Sequence, residues 1–171
     1  MSLLNSIRQI PDYPKKGILF YDISPLLADG KAWQETMRQI EKAVKPHKPE
    51  LIAGIESRGF LVAAPLAQMM GVGFIMLRKK GKLPGSTIRY SYDLEYGQDV
   101  IEAQEDAVRE GQRIIIVDDL LATGGTMAAG IALLRQMKAD VRGAACIIEL
   151  GFLHGRQKID IPLTALITVN Q

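Results

Sequence analysis

The sequence predicts an α/β fold, a mostly parallel central sheet flanked by helices, and three observations carry that expectation. Apolar runs of strand length recur at 51–55, 71–77, 114–117, 141–148 and 163–169. Between several of them lie segments with apolar residues at helical spacing, joined by short connections, and strand, helix, strand order of this kind builds parallel sheets. Ile114, Ile115, Ile116 and Val117 are apolar without alternation, as expected of a strand buried on both faces.

Taken in order, Leu3, Leu4, Ile7 and Ile10 recur at helical spacing, with Ser2 as a cap and Pro11 as a stop, which predicts a short surface helix. Residues 11–17 carry turn chemistry, followed by a short apolar piece at 18–21 and a further break at 22–25. Asp29 is placed to cap a helix whose apolar positions Trp33, Met37, Ile40 and Val44 form one stripe, ended by Pro46 and Pro49. The strand at 51–55 leads through Glu56, Ser57, Arg58 and Gly59 into a helix from Phe60 to about Met70. The strand at 71–77 runs into the basic segment Arg78-Lys79-Lys80-Gly81-Lys82. A β-rich arm follows at 87–97, then an edge-like strand at 100–103 and the strand at 114–117. In the helix at 126–137, Ala128, Ala129, Gly130 and Ala132 permit close approach to the sheet.

Composition limits the function classes. A length of 171 residues with 47% hydrophobic content suits one globular domain. A net charge of +2 is too small to mark a nucleic-acid binder, and no apolar run approaches the roughly 20 residues that span a bilayer. The amino end lacks the pattern of a signal peptide. The single cysteine, Cys146, sits among small and apolar residues, which fits a core position and a reducing, cytoplasmic setting. His47 and His154 have no partners at metal-ligand spacing; His47 reads as a solvated loop residue and His154 as structural.

The polar residues collect at strand ends, where open parallel sheets bind ligands. After residue 117 come Asp118 and Asp119, then Ala122-Thr123-Gly124-Gly125-Thr126 at the start of a helix. Small residues let backbone N–H groups converge on one point, and the helix adds its positive end, so the stretch suits a phosphate carrying a polyol. Ser57 and Arg58 repeat the arrangement with a hydroxyl and a guanidinium. The four cations within 78–82 repel one another, which points to a polyanion in the working state. Glu95, between Leu94 and Tyr96, would exchange protons if its surroundings were apolar, whereas the pattern by itself favours an exposed strand glutamate.

The run Val117-Asp118-Asp119-Leu120-Leu121-Ala122-Thr123-Gly124-Gly125-Thr126 resembles the phosphoribosyl pyrophosphate signature of type I phosphoribosyltransferases. Ile10-Pro11-Asp12-Tyr13-Pro14, Asp22-Ile23-Ser24-Pro25-Leu26-Leu27, Ile55-Glu56-Ser57-Arg58-Gly59-Phe60, the basic segment through Gly85, and Tyr92-Asp93-Leu94-Glu95-Tyr96-Gly97 resemble the adenine-using branch of that family, in the same order over nearly the whole chain. The resemblance implies a single domain, 1–171, with an amino-terminal hood at about 1–28, a core at 29–171 and a flexible loop at about 78–97. It implies a purine-salvage reaction in which 5-phosphoribose passes from phosphoribosyl pyrophosphate to N9 of adenine, giving AMP and pyrophosphate.

It also implies a homodimer and Mg²⁺, held mainly by the substrate with Asp118 and Asp119 nearby. Glu95 would exchange a proton with adenine N7. Asp118 and Asp119 would bind the ribose hydroxyls, and Ala122, Thr123, Gly124, Gly125 and Thr126 the 5-phosphate. Ser57, Arg58, Arg78, Lys79, Lys82 and Tyr96 would hold the pyrophosphate, and Ile18, Phe20 and Tyr21 would surround the base. Two positions depart from the branch: Tyr21 stands where many members have arginine, and Lys16 where many have proline. A base read by main-chain groups tolerates Tyr21, whereas one read by a guanidinium does not. A hypoxanthine or guanine transferase and a non-catalytic regulator that binds phosphoribosyl pyrophosphate are the alternatives.

Overall fold

The structure, a computed structural model, describes residues 3–94 and 97–170 and divides into two compact units, 1–39 and 40–171. In the first unit, the helical spacing of Leu3, Leu4, Ile7 and Ile10 does not produce the expected helix. A single 3-10 turn at Leu3–Ser6 is followed by strand β1 (Arg8–Pro11), which pairs antiparallel with β2 (Leu19–Asp22). A segment this short ahead of a proline cannot repay helix nucleation. Pairing satisfies its backbone instead, in a register from Arg8↔Asp22 to Pro11↔Leu19, with an ion pair between Arg8 and Asp22 at 3.0 Å.

The break read at 22–25 opens helix α1 (Ser24–Ala28), with Pro25 in its first turn, where a missing N–H costs nothing. Helix α2 (Gly30–Val44) starts as its sequence predicts: Asp29 Oδ1 accepts the N–H groups of Lys31 and Ala32 at 3.0 and 3.1 Å. Its stripe buries Met37, Ile40 and Val44, and Trp33 is half-buried.

The second unit is built on a seven-stranded sheet. In chain order it contains β3 (Leu51–Ile55), helix α3 (Gly59–Met70), β4 (Gly73–Lys79), β5 (Thr87–Asp93), β6 (Gln98–Gln104), β7 (Arg113–Leu121), helix α4 (Gly125–Gln136), β8 (Asp140–Leu150) and β9 (Leu163–Val169). The spatial order is β5-β6-β4-β3-β7-β8-β9. Pairs from β4 to β9 through β3, β7 and β8 are parallel, and β5 and β6 join antiparallel at the β4 edge. Every residue of β3 is buried, as are Ile114 to Val117 of β7, so the unalternating apolar runs form the centre of the sheet.

Two glycines bring the helices close. A Cβ at Gly54 would lie 2.6 Å from the Ala63 Cβ of α3, and one at Gly130 would lie 2.6 Å from Ile116 Cδ1. The small-residue face expected of the second helix is therefore used for close approach to β7. Helix α3 ends where Gly71, at φ 67°, turns left-handed and its N–H donates to Gln68 while the Val72 N–H donates to Ala67. From β3 the chain crosses to β4 on one side, and from β7 to β8 on the other. The order therefore reverses between β3 and β7, and a crevice opens at the carboxyl ends of these two strands. Among the described residues no helix is long and apolar enough to cross a membrane.

Candidate active site

Pairing between β3 and β7 stops at Gly54↔Val117, whereas β7 continues beside β8 to Leu121↔Glu149. Asp118 and Asp119 thus stand on a strand that outruns its neighbour, at the opening between them. The sequence places the two acids after the strand; the longer partner β8 keeps them within it. Asp118 Oδ1 accepts the Asp119 N–H at 2.8 Å, and Asp119 Oδ2 meets Arg58 Nε at 2.6 Å. Burial, then the neighbouring Asp119 charge, pushes the Asp118 carboxyl well above the ordinary carboxylate range. Gly59 makes room for this arrangement, since a Cβ there would lie 3.0 Å from the Val117 carbonyl and 3.1 Å from Asp118 Oδ1.

Beyond Leu121 the loop reaches Gly124, the amino cap of α4, at φ 81°. No side chain caps the helix and no acid occupies its first turn, so its first N–H groups remain available to an anion along with the positive end of the dipole. A Cβ at Gly124 would collide with the Gly155 carbonyl, which fixes glycine at that position.

The cations are not left to repel one another. Glu56 gathers three donors: Lys82 Nζ, Arg78 Nε at 3.4 Å and the Lys79 N–H at 2.8 Å. Burial pushes the Glu56 carboxyl up, but these hydrogen bonds and charges outweigh it and hold the group below its ordinary value. Lys79 Nζ pairs with Asp99 of β6 and donates to the Tyr92 hydroxyl at 3.0 Å. The Tyr92 hydroxyl in turn lies 3.3 Å from Thr126 Oγ1, linking the cationic segment to the first turn of α4. Glu102, 1% exposed, accepts the Gly81 N–H at 3.1 Å and faces Arg89 Nε at 2.6 Å. The basic cluster predicted a polyanion to neutralise it; in the structure, carboxylates pair with Arg78, Lys79 and Lys82.

A cleft of about 410 Å³ at the strand ends is lined by Ser57, Arg58, Lys79, Asp118, Asp119 and the loop from Ala122 to Thr126. Arg78 and Lys82 do not line it but are tied to Glu56, which does. Glu95 and Tyr96 lie outside the described residues. Of the base-binding candidates, Ile18 precedes β2, while Phe20 and Tyr21 lie within it. Ile18 is exposed, Tyr21 is buried, and Phe20 is half-buried with its ring edge-on to Tyr13 at 5.1 Å. Cys146 is buried beside β7, and burial followed by the Asp118 and Glu149 charges pushes its thiol up to about 12, as befits an inert core residue.

Sequence reasoning missed Glu56, Tyr92 and Asp99. Glu56 carried a signal, since a carboxylate one residue before Ser57-Arg58 and one strand ahead of four cations is positioned to hold them. Asp99 carried none, because only the antiparallel pairing of β4 with β6 brings it to Lys79.

Comparison with known proteins agrees with this geometry. A model of the phosphoribosyl transferase domain matches residues 25–167. The chain is 61% identical to an adenine phosphoribosyltransferase from Acidiphilium cryptum, with both chains covered in full. The chain belongs to the adenine phosphoribosyltransferase family. It is accordingly a transferase, and its parallel sheet is the family's fold. The adenine phosphoribosyltransferase from Thermoanaerobacter pseudethanolicus superimposes with a TM-score of 0.93 at 50% identity, covering 96% of each chain. The enzyme from Saccharomyces cerevisiae, in complex with an imino-altritol bisphosphate and adenine, gives 0.91 at 40% identity over 96% of each chain.

Proposed function

We propose that the chain transfers 5-phosphoribose from phosphoribosyl pyrophosphate to N9 of adenine, yielding AMP and pyrophosphate, as a cytoplasmic purine-salvage enzyme that uses Mg²⁺. One observation carries the reading: an uncapped helix start and a set of cations flank a pair of acids in a single cleft. The 5-phosphate binds the N–H groups at Ala122 to Thr126. Asp118 and Asp119 accept the ribose hydroxyls, and for this Asp119 exchanges the Arg58 guanidinium for a hydroxyl. Arg58 is thereby turned toward the pyrophosphate, beside Ser57 and Lys79, with Arg78, Lys82 and Tyr96 adding to the same charge.

As the C1–O bond breaks, its electron pair leaves with the pyrophosphate, the sugar becomes oxocarbenium-like and N9 of the base supplies the new bond. Cations aimed at the leaving group therefore stabilise the transition state more than the ground state. Glu95 exchanges a proton with adenine N7 during the attack, and Ile18, Phe20 and Tyr21 contact the base. Mg²⁺ supplies further neutralisation of the pyrophosphate. Asp118 and Asp119 offer carboxylate oxygens, the donors that suit Mg²⁺, beside a metal that would be held mainly by substrate oxygens. The working form is a homodimer; exposed Leu61, Met69 and Met76 supply apolar surface for association, which sedimentation would test.

The function is tested by mixing the purified protein with phosphoribosyl pyrophosphate, Mg²⁺ and adenine, hypoxanthine or guanine in turn. Pyrophosphate release with adenine is expected. Release only with another base would reassign the acceptor, and release with none would leave a binding protein.

A further inference from the structure

The segment after β8 packs directly behind the phosphate loop. Gly155 is buried, and a Cβ on it would collide with the Ala122 carbonyl and lie 2.8 Å from Gly124 N. The contact is mutual, because a Cβ on Gly124 would meet Gly155 in the same way. Backbone therefore rests on backbone here, with no side chain to yield between them. The next residue, Arg156, anchors this segment to the sheet. Its Nε and Nη2 donate to Glu149 Oε1 and Oε2 at 2.9 and 2.5 Å, and its Nη1 donates to the Leu163 carbonyl at 2.8 Å. Glu149, whose side chain is 6% exposed, lies on β8 in register with Leu121, the last residue of β7 before the loop. One fork thus ties together the end of β8, the start of β9 and the turn that presses on the loop.

We propose that Gly155 and Arg156, fixed by Glu149, are positioning residues that set the shape of the phosphate loop and so the affinity for the 5-phosphate of the sugar. The inference rests on the assignment of that phosphate to the loop. None of the three lines the cleft, so none meets the substrate itself. Their effect passes through the Ala122 carbonyl and Gly124 N, the atoms whose placement decides whether the following N–H groups converge. A backbone nest binds an oxyanion only while its donors point to one place, and a shift of about 1 Å weakens it severalfold or more. Three of the cations assigned to the pyrophosphate, Arg78, Lys79 and Lys82, pair with Glu56 and Asp99 and with no member of this brace.

The test is calorimetric titration of ribose 5-phosphate and, separately, pyrophosphate into the wild type, Gly155→Ala, and Arg156→Ala combined with Glu149→Gln. The double substitution removes the buried carboxylate charge with its partner, so the protein keeps its fold, checked by thermal melting. Ribose 5-phosphate affinity should fall about tenfold or more in both variants, with pyrophosphate affinity within about twofold of wild type. In turnover, KM for phosphoribosyl pyrophosphate should rise more than kcat falls. Unchanged ribose 5-phosphate affinity, or an equal loss of both ligands, overturns the proposal. Failure of the wild type to bind ribose 5-phosphate would instead remove the functional reading on which it rests.

Discussion

Two strand-to-helix junctions share the cleft with opposite chemistry. After β7, residues 118–126 contain no cation, and the donors on offer to an anion are the uncapped peptide N–H groups at Gly124 and the start of α4. After β3, the junction carries Arg58, and the adjoining end of β4 adds Arg78, Lys79 and Lys82, each held by a carboxylate. Fixed backbone donors lose no side-chain freedom when a ligand arrives, which suits a phosphate ester that stays in place throughout the reaction. Paired side-chain cations would suit the proposed leaving group, whose charge grows and which must then depart, since carboxylates stand ready to pair with the cations again.

The largest effect should come from outside both junctions. Glu95→Gln is expected to lower kcat by about 10²- to 10⁴-fold with little change in phosphoribosyl pyrophosphate affinity, as measured by steady-state kinetics and direct titration. Equal losses in both would return the proton chemistry to the junctions. Next, Asp118→Asn with Asp119→Asn should weaken phosphoribosyl pyrophosphate by about ten- to a hundredfold, the scale of lost charge-assisted hydrogen bonds. Lys82→Ala is expected to cost about three- to tenfold in pyrophosphate affinity, less at high salt because the side chain is half exposed.

The smallest effect concerns stability. The hydrogen bond from Lys79 holds the Asp99 carboxyl below its ordinary value, so the pair's contribution is present above about pH 4 and is lost as pH falls through the lowered pKa. Although burial opposes it, the hydrogen bonds to Asp99 and Tyr92 raise the Lys79 pKa, so its contribution is present below about pH 10.4 and is lost above it. Both side chains are partly exposed, and the pair contributes under about 1 kcal/mol. The melting temperature of Asp99→Asn should lie slightly below wild type from about pH 5 to 9, and the difference should close in acid. A difference unchanged at pH 3 would mean that Asp99 acts without its charge.

The two junctions also differ in how far the sequence reveals them. The composition of the β7 junction was legible, because an apolar run, two acids and a glycine loop lie in one stretch, although the strand runs on past the acids to Leu121. The cations of the other junction were legible, but their partners were not, since Asp99 reaches Lys79 through the β4–β6 pairing and Glu56 reaches Lys82 across two strand ends. The same reason explains the amino end. Helical spacing at 3–10 was real, but pairing with β2, invisible in the local pattern, decided the outcome. The brace at Gly155 and Arg156 escaped notice because its glycine matters only for what stands opposite it.

The division of labour between the junctions is tested most directly by titrating ribose 5-phosphate and pyrophosphate side by side into two variants, Asp118→Asn with Asp119→Asn, and Lys82→Ala. The expected result is crossed: the first variant loses ribose 5-phosphate and retains pyrophosphate, and the second does the reverse. Parallel losses of both ligands in both variants would contradict it.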